Sequence, residues 1–124
     1  MMSYEQWLSC ILGRARAIAS RAYQEETWKA GGDLVSSPDE VYQALMEDCT
    51  ADLFFETYGT TLTEEQMQCW RDLKTRLTSY YDKMSLYPDP AQVLTDPEWD
   101  LVRQAARRFL LVFQSAEQWN NEKG

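Results

Sequence analysis

The chain has no histidine among its 124 residues. That removes imidazole acid–base catalysis, Ser-His and Cys-His nucleophiles, and most zinc or di-iron sites. No apolar run approaches the roughly 18 residues that cross a bilayer, so no membrane span is expected. The N-terminus has no basic stretch ahead of its apolar residues and reads as amphipathic helix rather than signal peptide. Only three cysteines occur, Cys10, Cys49 and Cys69. The number is odd and no spacing suits a metal, so free thiols in a reducing cytoplasm are expected. Strand-type alternation does not persist anywhere, and no internal repeat is visible. Finally, residues 30–70 contain no Lys or Arg.

What is present is enough for one folded domain, 1–124. Apolar residues make up 44% and aromatics 13%, which argues against disorder. Helical periodicity runs through most of the chain. Over 3–28 the apolar positions are Tyr4, Trp7, Leu8, Ile11, Leu12, Ala15, Ile18, Ala19, Ala22 and Tyr23. Gly31-Gly32 then stop the helix. Ser37-Pro38-Asp39-Glu40 starts a second one over 38–49, with Ser37 as N-cap, Pro38 in the first turn and Glu40 closing a capping box. Continued without interruption, that helix would bring Asp52 and Glu56 onto the arc of Val41 and Leu45. Burying two carboxylates is costly without partners. A break near 48–52 is therefore predicted, with Thr50 as the new N-cap and a short helix over 51–58. Thr63 and Gln66 form another capping box ahead of a helix over 64–84, with a seam of Met67, Trp70, Leu73, Leu77, Tyr80 and Met84 and with Lys74 facing outward. A Pro-rich connector with one turn after Asp89-Pro90 leads to the last helix, 97–119, whose seam is Trp99, Val102, Ala106, Phe109, Phe113 and Ala116. Arg103, Arg107 and Arg108 give that helix a basic face. The fold class is all-α, a four-helix bundle-like single domain with a broken second helix.

The net charge of −8 is concentrated. Asp33, Asp39, Glu40, Glu47, Asp48, Asp52, Glu56, Glu64 and Glu65 all lie in the stretch without cations. Part of this has a folding reason. Carboxylates in first helical turns gain about 0.3–1 kcal/mol each from the helix dipole, which covers Asp39, Glu40, Glu64, Glu65 and, after a break, Asp52. Glu47 and Asp48 would close a helix, the wrong end for an anion. A free nucleic-acid ligand is not expected on so acidic a surface. A basic partner protein is, since clustered charge steers and speeds its association. The expected contact surface is Glu40, Glu47, Asp48, Asp52 and Glu56, with Phe55 and Tyr58 as aromatic anchors. No cofactor is expected. Two other readings stay open. On an unbroken helix Asp48 and Asp52 could share a Mg²⁺, and the chain resembles helical nucleotide pyrophosphohydrolases in size and class, although Lys29 and Thr50 stand where their pattern needs carboxylates. Alternatively, Tyr80, Tyr81 and Trp119 could pack between two copies of the chain. Trp28 is expected to pack over one end of the bundle, and Cys69 to be a buried, inert thiol.

Three segments, "AYQEETWKAGG", "SPDEVYQALMEDCTAD" and "LTDPEWDLVRQAARRFL", resemble in that order small helical bacterial proteins of immunity-protein type. The matching positions are Tyr23, Gln24 and Trp28, then Glu47 and Asp48, then Pro97, Glu98 and Trp99. The resemblance implies neutralisation of a toxin, with an acidic surface occluding a basic nuclease. The same occlusion would serve a phage anti-defence protein that mimics DNA against a CRISPR effector.

Overall fold

The computed structural model describes residues 3–28, 37–83 and 89–123, with side chains as far as Phe113 in the last of these. Gly31-Gly32, Asp33 and the Met84 seam position lie outside them. Every described element is helix or turn: α1 (Tyr4–Ala19), α2 (Arg21–Thr27), α3 (Pro38–Gln43), a π turn (Ala44–Asp48), α4 (Ala51–Tyr58), a 3-10 turn (Gly59–Thr61), α5 (Glu64–Lys83), α6 (Pro90–Leu94) and α7 (Pro97–Lys123). The chain is an all-α single domain.

α7 is the central element, flanked by α1 and α5. Lys83 meets Glu98 at one end, and Trp70 meets Phe109 further along, so α5 and α7 run antiparallel. Their buried seam is Trp70, Leu73, Leu77 and Tyr80 against Trp99, Val102, Ala106, Phe109 and Phe113. Ile11, Leu12, Ala15 and Ile18 close it from α1. At about 25 cal/mol per Å² of apolar surface removed from water, this seam is the main stabilising term.

The expected single helix over 3–28 is two helices. Ser20 is extended (φ −92°, ψ 103°), its N–H closes on the Arg16 carbonyl, and its hydroxyl accepts the Tyr23 N–H. The turn shifts the helical phase. Ala22 and Tyr23, expected on the apolar face, are exposed, and Gln24 is buried instead.

The second helix is broken where its charge pattern requires. Cys49 N–H reaches the Ala44 carbonyl, five residues back, at 3.1 Å, the signature of a π turn. Thr50 then sits in the left-handed region at φ 46°, a costly conformation for a β-branched residue. With one residue added to the turn, Asp52 and Glu56 swing outward and Phe54 and Phe55 take the inner face. Thr50 stands at the N-cap position, but its hydroxyl bonds the Cys49 carbonyl rather than a free N–H. At Ser37 one half of the expected box is present, the Glu40 N–H donating to its hydroxyl, and at Thr63 both halves are. α7 runs on to Lys123, past the expected end at Trp119.

The cysteines correct the expectation of free thiols. Cys10 of α1 and Cys49 are joined as a disulfide, with Cα atoms 6.0 Å apart, a separation that suits one. The reducing compartment inferred from free thiols loses that support. Only Cys69 is free; it is buried, its thiol donates to the Gln66 carbonyl, and burial pushes it up to about 11.

Arg103 is a second correction. It is 1% exposed rather than part of a basic surface. Its Nε donates to Gln24 Oε1 at 2.8 Å, and its terminal nitrogens reach Asp100 and the Leu94 carbonyl. Burial lowers its pKa. Gln24 also accepts from Trp99 Nε1 at 3.0 Å and donates to the Ala17 and Ile18 carbonyls. Trp28 packs against Trp99, ring centroids 5.8 Å apart.

Tyr80 gives a pH prediction. Burial, reinforced by its hydrogen bond to Asp96 (2.7 Å), raises its phenol well above the usual value. The folded state therefore holds this proton more tightly than the unfolded one, and its contribution fades as pH climbs past about 10. Wild type should lose up to about 1.4 kcal/mol per pH unit more steeply than Tyr80→Phe above that point, measured by urea unfolding.

Candidate interaction surface

The acidic side chains of the middle third do not form one face. They divide among at least three. The first lies where α3 and the π turn meet α5. Tyr42 stacks on Tyr81 with centroids 3.9 Å apart and planes 8° from parallel. Both rings are half-buried. Asp39 accepts from Gln43 Nε2 at 3.1 Å, and the same carboxylate raises the neighbouring Tyr81 phenol. The Tyr42 phenol is raised first by desolvation, then by Asp82, Asp52 and Glu47, with Lys74 opposing. Asp39 thus borders the pair of phenol rings, and the fields of three further carboxylates and one ammonium reach Tyr42.

Lys74 does not simply face outward. Its Nζ is 2.8 Å from Asp52, and both side chains are about half exposed. An ion pair so open to water contributes at most about 1 kcal/mol.

The second group is Glu40 and Asp48. With Arg14 of α1 and Tyr23 of α2 they line a hollow of about 380 Å³. A cation from the first helix thus stands beside two of the expected contact residues. The third group is Glu65 on α5, with Asp72 just past the cation-free stretch. Glu65 and Asp72 act on Cys69 together with Arg108, which borders a groove of about 780 Å³ between α5 and α7. Charges of both signs line that groove, including Arg76 and the Lys83–Glu98 pair. Glu56 is exposed on α4 and belongs to none of these groups by any described contact.

Of the expected anchors, Phe55 is corrected. It is 3% exposed and stacked on Trp70 at 4.3 Å, so it holds α4 to α5 and presents nothing outward. Tyr58 is half-buried among Tyr4, Trp7 and Phe54. Tyr80 is a core residue, Tyr81 stacks within its own chain, and the Trp119 side chain lies outside the described residues. The Mg²⁺ pair is also corrected. Asp48 and Asp52 lie on either side of the Thr50 break, off the unbroken helix that such a pair requires, and Asp52 pairs with Lys74. Among the described residues no three Asp, Glu or Cys side chains converge as a cation cage. No helix among them is long and apolar enough to cross a membrane.

The aromatic pair and Asp82 were not singled out together from the sequence. The Asp39–Gln43 spacing of four was visible there, but Tyr81 and Asp82 arrive from a helix about forty positions later. No known family, curated protein or solved structure matches the chain.

Proposed function

We propose that the protein is a binding protein that neutralises a larger basic protein by covering part of its surface, acting without chemistry of its own. The observation that carries this reading is the stacked Tyr42–Tyr81 pair bordered by Asp39 and lying in the field of Glu47, Asp52 and Asp82, with Lys74 opposing. Phenol faces and carboxylates together suit an arginine or lysine of a partner, through cation–π contact and charge-assisted hydrogen bonds. The Asp52–Lys74 bridge can be exchanged for a partner's guanidinium at small cost, because it is open to water. The carboxylates steer the encounter, and burial of the rings supplies affinity.

A toxin or nuclease domain is the partner class this chemistry fits best, in line with the resemblance to immunity proteins. A CRISPR effector met by a phage anti-defence protein would use the same face. A cytoplasmic setting requires the Cys10–Cys49 pair to be reducible there.

The test separates the two acidic groups of this region. The chain is immobilised as wild type, as Glu47→Lys/Asp52→Lys, and as Glu40→Lys/Asp48→Lys, each checked for unchanged helical signal. A partner held by wild type should lose at least about 100-fold in affinity to the first variant, and far less to the second, since it rests on contacts around the tyrosine pair. Equal binding by all three removes the assignment.

A further inference from the structure

We infer that Cys10 is a modification site for small-molecule disulfides, that Cys49 is its resolving partner, and that the bond they form clamps the π turn to α1. The two sulfurs differ in access. Cys49 is 0% exposed, whereas Cys10 is only partly buried. Cys10 is therefore the thiol that meets a reagent first.

The chemistry balances with a small disulfide such as glutathione disulfide as the oxidant. The Cys10 thiolate attacks one of its sulfurs, a mixed disulfide forms on Cys10, and one glutathione thiolate leaves. The Cys49 thiolate then attacks the Cys10 sulfur, the protein disulfide forms, and the second glutathione leaves. The two cysteines together lose two protons and two electrons, and the oxidant is reduced to two thiols. Cys69 takes no part, being 2% exposed on α5 with its thiol held by the Gln66 carbonyl.

What the bond controls is the joint. Cys49 closes the π turn through its N–H, its carbonyl accepts from Trp7 Nε1, and the left-handed Thr50 follows it directly. With the bond open, the described ties of Cys49 to α1 reduce to the Trp7 hydrogen bond, and the strained turn gains freedom. None of this depends on the acidic face having a partner.

The full chain tests it in three measurements. Reduced wild type, pulsed briefly with iodoacetamide while folded, should be labelled on Cys10 at least about tenfold faster than on Cys49 or Cys69. Reduced wild type treated with glutathione disulfide should retain one titratable thiol and no adduct, and under native conditions its amide exchange over residues 44–52 should slow relative to the reduced form by more than the general slowing that the cross-link gives α5. Cys49→Ser under the same oxidant should stop at one glutathione on Cys10. Three surviving thiols in oxidised wild type, or labelling of Cys49 as fast as Cys10, overturns the assignment of sites. Slowing over 44–52 no greater than that of α5 overturns the clamp. Should Cys49→Ser fail to fold, the wild-type measurements decide alone.

Discussion

Replacing Gln24 with leucine should cost about 3–5 kcal/mol, one of the largest single-residue effects in the molecule. The side chain is fully buried and uses both ends of its amide. Its nitrogen satisfies the Ala17 and Ile18 carbonyls, which the Ser20 turn leaves without helical donors nearby. Its oxygen receives Trp99 and Arg103. Leucine would leave an indole N–H and one guanidinium N–H buried without an acceptor. The guanidinium keeps Asp100, itself held below the usual carboxylate range by Gln104 and Arg103, and keeps the Leu94 carbonyl, so the loss stops short of an unpaired charge. For a chain of this length the loss corresponds to a fall in Tm of roughly 10–20 °C. Arg103→Met alone should cost a similar amount. The double variant Gln24→Leu/Arg103→Met should cost well under the sum, because the second change removes the group stranded by the first. Urea unfolding of the four proteins measures it, and strict additivity would show that the two side chains do not act together.

Opening the Cys10–Cys49 bond should cost about 4 kcal/mol, or roughly 15 °C in Tm. The bond spans 39 positions, and in the chain-entropy account a cross-link over a loop of that length removes much of the freedom of the unfolded state. Wild type with and without dithiothreitol should show the difference directly, and Cys10→Ser/Cys49→Ser should match the reduced protein. The same comparison made with Cys69→Ser added should leave the difference unchanged. A reduced protein as stable as the oxidised one would mean that the fold does not draw on the cross-link.

Helix positions in this chain are legible because apolar residues recur every three or four places in α1, α5 and α7. The break in the second helix is legible for a different reason. Its two carboxylates had nowhere to go on a straight helix, and the π turn with Thr50 is how the backbone moves them out. The Ser20 break is hidden, because Ala22 and Tyr23 continue an apolar rhythm that the backbone does not follow. Gln24 and Arg103 look like surface residues in sequence, and only a partner 79 positions away makes burial of both favourable. The Gln24, Trp28 and Trp99 positions of the resemblance meet in this one cluster, so those motif residues hold α2 to α7. The disulfide is invisible for a similar reason: an odd count of three gives no pairing, and contact between α1 and the π turn exists only in the fold. Negative charge was countable from the sequence, but its distribution was not. Which carboxylate joins Tyr42 and which joins Arg14 depends on the phase of the turn between them.

That turn has an implication for how the gene can vary. Because a single extra residue between positions 44 and 48 resets the angular frame of everything up to Tyr58, the codon count there matters more than the identity of most codons. Losing one would rotate the following helix by about 100°. That would carry Phe54 and Phe55 away from the core and bring a flank of α4 against it. At its exposed positions, Glu47 and Asp48, the turn should fold with many substitutions but, unlike the usual loop, tolerate almost no insertions or deletions, while the buried Leu45 stays restricted.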